Sequence, residues 1–152
     1  KPLVHIWNDN RTASWAAFDA GQRHEVSIRT ALEDPEAVAR ARIPVERIRA
    51  PIILLSGTDD AAWPSSLYSR MVVDALRAHD FPYDCQWVDA PEGGHAIVFP
   101  YIPTTGITHR HPVTGRLFTG GGAPGPNALS NENSWTAIKA FLARAVADHA
   151  RA

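Results

Sequence analysis

Two short apolar runs separated by a helical pattern dominate the middle of the chain. The first, Ile52-Ile53-Leu54-Leu55, is continuous rather than alternating, as in a strand covered on both faces of a parallel sheet. It breaks at Ser56-Gly57-Thr58-Asp59-Asp60. Past Pro64, with Ser65 or Ser66 as the expected cap, Tyr68, Met71, Val72, Ala75, Leu76 and His79 fall on one helix face. His79-Asp80 and Phe81-Pro82 stop that helix, and residues 83–88 read as a second strand. It leads into Pro91-Glu92-Gly93-Gly94-His95. A strand–helix–strand crossover of this kind is right-handed. Its strand ends share one sheet edge, where open α/β folds bind ligands.

The flanks are less regular. Residues 1–26 read as a long connection with a short helix near 14–20. Between 27 and 42, Ile28, Ala31 and Leu32 have helical spacing; Asp34 then caps a second piece that starts on Pro35, and Ile43-Pro44 ends it. Residues 96–130, rich in Gly and Pro, read as a long surface loop with Gly120-Gly121-Gly122 as a flexible segment bordering a substrate entrance. Within it, Thr114-Gly115 turns a small hairpin. The last helix is expected from Asn131–Asn133 onward, with Trp135, Ile138, Leu142, Ala145 and Val146 as its packed stripe. The expected division of the single domain is thus 1–50 crossover and lid, 51–95 strand–helix–strand unit, 96–130 loop and 131–152 terminal helix. Two parallel strands would leave an apolar edge open. Further strands preceding Lys1 are therefore expected.

Composition narrows the function classes. The 152 residues are 45% apolar and 20% charged with a net charge of −1. That is a globular balance, with no basic surplus for nucleic acid or an anionic membrane. No apolar run approaches the roughly 18–20 residues of a membrane span. The single cysteine, Cys85, excludes an internal disulfide and reads as a small buried hydrophobe. The chain opens on Lys1 and its one methionine is Met71, so a processed or truncated product is expected.

The candidate chemistry lies in Asp60 and His95. An acid after one strand and a histidine after the next suit a pair in which the carboxylate orients the imidazole through Nδ1–H and Nε2 serves a nucleophile. Asp59 is the competing acid, read instead as a cap of its turn. Trp63 is expected in a packing role, over the site or as a wedge against the following helix. His109-Arg110-His111 offers two ligands on one strand face but no third, so it reads as a solvated loop; no metal or cofactor is expected. Gly120-Gly121-Gly122 lacks the strand-before, helix-after frame of a phosphate cradle.

One ordered set of motifs carries a resemblance. It comprises Ile43-Pro44-Val45-Glu46-Arg47-Ile48, then Ser56-Gly57-Thr58-Asp59-Asp60-x-x-Trp63-Pro64-Ser65, Pro91-x-x-Gly94-His95, Pro100-Tyr101-x-Pro103 and Gly121-Gly122-x-Pro124, with Trp135 in the last helix. From about Ala31 to Phe141 the chain resembles the carboxyl-terminal catalytic domain of acyl-CoA thioesterases and bile acid-CoA:amino acid N-acyltransferases. The resemblance implies the C-terminal part of an α/β-hydrolase fold, with the acid at Asp60 and the base at His95. It also implies a coenzyme A thioester as substrate, whose phosphates Arg110 and Arg116 would attract. In that family a Ser or Cys nucleophile sits on an earlier strand-to-helix elbow. This chain has no G-x-S-x-G or G-x-C-x-G. The nucleophile and the N-terminal half of the fold are thus expected upstream of Lys1, and this chain alone is expected to be inactive. The competing readings are a dienelactone hydrolase-like esterase, a prolyl-oligopeptidase-type peptidase, and a non-catalytic binding module of the same fold.

Overall fold

The computed structural model describes residues 21–150; the short helix expected near 14–20 lies outside them. They form an α/β arrangement of two small sheets with flanking helices. The two expected central strands are present. β1 (Ile52–Gly57) runs parallel to β2 (Cys85–Ala90), with Ile52 opposite Cys85 and Gly57 opposite Ala90. β2 starts later than the apolar pattern predicts, just after Asp84, whose carbonyl accepts the Ile52 N–H at 2.9 Å and opens the ladder. Phe81 and Tyr83 meanwhile pair their rings 5.4 Å apart outside the strand. Among the described residues each of these strands has one neighbour, and residues 52–55 stay only half-buried.

α3 is the crossover helix, Ser65–Ala78. It follows α1 (Glu25–Arg29), a 3-10 turn at Thr30–Glu33 and α2 (Pro35–Ala41). At the head of α2, Asp34 Oδ1 accepts the Ala37 N–H at 2.9 Å with Pro35 next to it. Such a cap is worth about 1 kcal/mol. α3 is different. Ser65 and Ser66 do not cap it; both hydroxyls turn back to the Gly57 carbonyl at 3.3 and 3.2 Å, tying the helix to the end of β1. The helix stops as its sequence predicts, with Asp80 at φ 47° and the Phe81 N–H returned to the Leu76 carbonyl. Leu76 and Ser69 are its buried residues; Ile28, Ala31, Ala61, Ala90 and Phe141 complete the apolar core.

The C-terminal third departs from expectation. Thr114-Gly115 does turn a hairpin, between β3 (Thr108–Arg110) and β4 (Leu117–Thr119). The final helix, α4, begins at Pro124 rather than near 131 and runs to His149. Pro124 and Pro126 fit its first turn because the first N–H groups of a helix have no intrahelical acceptor to lose. The stripe is displaced too. Leu142 and Val146 are 55% and 68% exposed, while Asn127, Ser130, Asn131, Ser134 and Phe141 are buried. The inner face of α4 is largely polar, which a search for apolar periodicity passes over.

Candidate active site

The acid is set by the turn that ends β1. The Thr58 N–H bonds to the Ala90 carbonyl and the Asp59 N–H to the Gly93 carbonyl, each at 3.0 Å, so the turn is pinned to the exit of β2. Asp60 then folds its carboxylate over the following backbone. Oδ1 accepts the N–H groups of Ala62 and Trp63, both at 2.9 Å, an Asx arrangement natural to aspartate. Oδ2 is left to meet Nδ1 of His95 at 3.1 Å. The Asp60 side chain is 5% exposed and the imidazole 48%. A buried carboxylate bonded on every side holds a half-exposed ring by Nδ1, which leaves Nε2 as the nitrogen available for proton exchange.

Asp59 has other work. Its Oδ1 pairs with Arg23 Nη2 at 2.9 Å and its Oδ2 accepts the Gly122 N–H at 2.8 Å. The two adjacent aspartates are therefore divided: Asp59 ties three chain segments together, and Asp60 reaches the histidine.

His95 is held through its backbone. Its N–H bonds to the Gly120 carbonyl at 2.8 Å, and the preceding Gly94 N–H bonds to Asn127 Oδ1 at 2.7 Å. Here the expectation of a flexible glycine loop fails. Gly121 is buried and forms a bridge with Asp60, at φ 75°. A Cβ on Gly121 would fall on the Asp59 carbonyl oxygen; one on Gly94 would fall on the Gly121 carbonyl. These residues are glycines because three backbone segments touch there, and the segment is an internal wall rather than a mobile rim. Neither the buried asparagines of α4 nor this backbone junction was apparent from sequence. Asn127 and Asn131, spaced one turn apart, were the available signal.

On one side of His95 lies an open cleft of about 580 Å³, its walls including Leu54, Leu55, Trp63 and Tyr68 as well as Asp60. Trp63 is 49% exposed there and lines the cleft together with Asp60 and His95. Burial pushes the Tyr68 hydroxyl above its ordinary pKa, opposed only by Arg29, which keeps it a neutral donor. On the other side a smaller cavity of about 180 Å³ is bordered by His95, Asn127, Asn131 and the hairpin.

The remaining candidates are accounted for elsewhere. Ser27 donates to the His24 carbonyl. Ser56 donates to Asp89 at 2.7 Å and accepts from Trp87 at 2.8 Å. Ser134 is buried on α4, and Ser14 lies outside the described residues. Cys85 has its thiol pKa raised by burial and by neighbouring Asp84, which disfavours the thiolate a nucleophile needs. The exposed His109 lies within β3 rather than in a loop, and His111 lies just past its end; their rings are 5.9 and 6.0 Å from that of Phe118. Among the described residues no group of three or more His, Cys, Asp or Glu could hold a metal. Arg110 donates to the Gly115 carbonyl across the hairpin turn. No helix among the described residues is long and apolar enough to cross a membrane.

Residues 7–148 match the family described as BAAT / acyl-CoA thioester hydrolase C terminal. Acyl-coenzyme A thioesterase 6 of Mus musculus is 34% identical over 113 residues, 73% of this chain and 26% of that protein. The mitochondrial acyl-coenzyme A thioesterase 2 of Rattus norvegicus is 33% identical over 112 residues, 74% of this chain and 24% of its own length. The peroxisomal succinyl-coenzyme A thioesterase of Mus musculus is 30% identical over 111 residues, 72% and 26% respectively. The chain thus spans about a quarter of the length of these relatives.

Proposed function

The chain belongs to the BAAT / acyl-CoA thioester hydrolase C-terminal family, and on that premise we propose that it carries the acid and base of a hydrolase acting on acyl-CoA thioesters. The observation that supports this reading most is the 3.1 Å contact between His95 Nδ1 and an Asp60 carboxylate buried and anchored by two backbone N–H groups. In this mechanism a Ser or Cys attacks the thioester carbonyl while His95 Nε2 takes its proton. The resulting imidazolium is stabilised by Asp60 and returns the proton to the departing coenzyme A thiolate. His95 next removes a proton from water, whose oxygen attacks the acyl carbon; the bond to the Ser or Cys breaks, that side chain takes the proton back from His95, and the acid is released. In an acyltransferase an amine takes the place of water.

The nucleophile, by this reading, comes from a segment of the α/β-hydrolase fold outside these 152 residues. Two features support it. Among the described residues no serine or cysteine is hydrogen-bonded to the ring of His95. Among the described residues β1 also has an unpaired edge, beside the cleft that its Leu54 and Leu55 help to line, where a further parallel strand would close the sheet and bring its own terminus to the same edge. The acyl-CoA substrate would enter that cleft.

The test is hydrolysis of acyl-CoA, followed by thiol release, in the intact protein that contains this chain. His95→Ala and Asp60→Ala should each abolish turnover with the fold retained, and residues 1–152 alone should be inactive. Full acyl-CoA hydrolysis by the His95→Ala protein would overturn the assignment.

A further inference from the structure

The base is one residue from a feature that neither the family nor the mechanism explains. α4 turns a polar face inward at its N-terminal end, and two of its side chains bond to the backbone on either side of His95. Asn127, 4% exposed, accepts the Gly94 N–H on Oδ1 at 2.7 Å. Its Nδ2 donates to the Gly121 carbonyl at 3.4 Å, in the segment whose Gly120 carbonyl accepts the His95 N–H. Asn131, 1% exposed, accepts the Val98 N–H on Oδ1 at 2.9 Å. Residues i and i+4 of a helix lie one above the other on the same face, so one rigid surface grips the loop before and after the histidine. Both asparagines and His95 also border the same small cavity of about 180 Å³. Burying two amides is costly unless they are bonded. An apolar pair of similar size would pack at least as well. What asparagine adds is an acceptor aimed at a chosen amide.

We propose that Asn127 and Asn131 are positioning residues for His95, fixing the loop that sets the distance and angle of its imidazole against Asp60. The inference rests on the reading of His95 as the base. The two asparagines act through the Gly94 and Val98 amides. Among the described residues the titratable groups around the ring are Asp60 from the β1 turn, at 3.1 Å, Tyr68 from α3 across the open cleft, and His109 from the hairpin across the small cavity.

The experiment is steady-state acyl-CoA hydrolysis against pH, in the intact enzyme, for five variants alongside the parent. Asn127→Ala and Asn131→Ala should each lower kcat about 10- to 100-fold, with KM changed less than kcat, since a displaced base is felt in the transition state. Asn127→Asp keeps the acceptor for Gly94 and should recover most of kcat. Its new carboxylate one residue from His95 favours the imidazolium, so the acid limb of the pH–rate profile should move up. Phe141→Ala, on the same helix but 8% exposed in the apolar core, should lower Tm and leave kcat and the pH profile of the folded enzyme alone. His95→Ala separates the two ideas. If it is inactive while both alanine variants keep kcat within about twofold of the parent, the positioning role is wrong and the base stands. If it is active, the base assignment falls and this inference with it. Should Asn127→Ala fail to fold, an Asn127→Asp enzyme with an unshifted acid limb would count equally against the proposal.

Discussion

Replacing Gly121 with alanine should damage both the fold and the acid–base pair, and the structure gives the size of the effect. Gly121 sits at φ 75°, a conformation that costs an L-residue about 1–2 kcal/mol. Its added methyl would collide with the Asp59 carbonyl oxygen and lie 2.9 Å from the Ala61 nitrogen and 3.0 Å from its Cβ. All but the last are backbone atoms, so no side chain can swing away; overpacking of this kind costs a further ~1–3 kcal/mol. The total is about 2–5 kcal/mol. Relief can come only by moving the turn that carries Asp60, so kcat of the protein that does fold should drop at least about tenfold. Gly125 supplies the control. It lies in the first turn of α4 with no atom beyond its chain neighbours near its Cβ position; the mid-helix gain of alanine over glycine is there opposed by Pro126, which disfavours a helical alanine before it, so the net change should stay within about 1 kcal/mol. Thermal melts of the intact protein should place Gly125→Ala near the parent and Gly121→Ala well below both. A Gly121→Ala protein that melts and turns over like the parent would show that the three-segment backbone contact is not what holds the site.

The two neighbouring aspartates should separate cleanly in activity. Asp60→Asn leaves an amide facing either two N–H donors or the imidazole, and should cut acyl-CoA turnover by about three or four orders of magnitude. Asp59→Asn keeps an acceptor for Gly122 and loses only the half-exposed pair with Arg23, so stability should fall by less than about 1 kcal/mol; turnover near the parent's is the expected assay result. For Cys85, burial and Asp84 raise the thiol pKa, which lowers the thiolate fraction at any pH below it. Iodoacetamide should therefore label it more slowly than a free thiol near pH 8, with the rate rising only at higher pH, and Cys85→Ala should stay active. Rapid labelling coupled to loss of turnover would reverse that view.

The pair of Asp60 and His95 was legible because its signals are local. A continuous apolar run, a glycine break and a second run ending in Gly93-Gly94-His95 set both residues at one sheet edge, and the observed parallel register agrees. The choice between Asp59 and Asp60 needed the motif and the geometry together: each has a turn-forming side chain, and they differ in what crosses over to meet them, Arg23 and Gly122 for one, His95 for the other. The C-terminal third departs from its sequence pattern for a common physical reason. Gly and Pro mark loops by their intrinsic preferences, yet Pro124 and Pro126 occupy the one part of a helix that tolerates proline, and Gly121 and Gly122 lie at a contact too close for side chains.

The inner face of α4 joins these observations. A helix that packs on side chains needs an apolar stripe, but the N-terminal half of α4 packs where the chain offers backbone: Gly93, Gly94 and Gly121. Backbone presents amides and carbonyls, and burying those without partners costs about 1–3 kcal/mol each. Asparagine satisfies one of each, as Asn127 does with the Gly94 N–H and the Gly121 carbonyl. Farther along, where α4 meets core side chains, the contact returns to Phe141. The switch from polar to apolar along one face thus follows what lies opposite. The glycines permit the close approach, the asparagines satisfy the amides it buries, and Asp59 ties Gly122 to the same turn. The separation of Asp60 and His95 is consequently set by residues far from both in sequence, through contacts in which backbone is at least one partner every time.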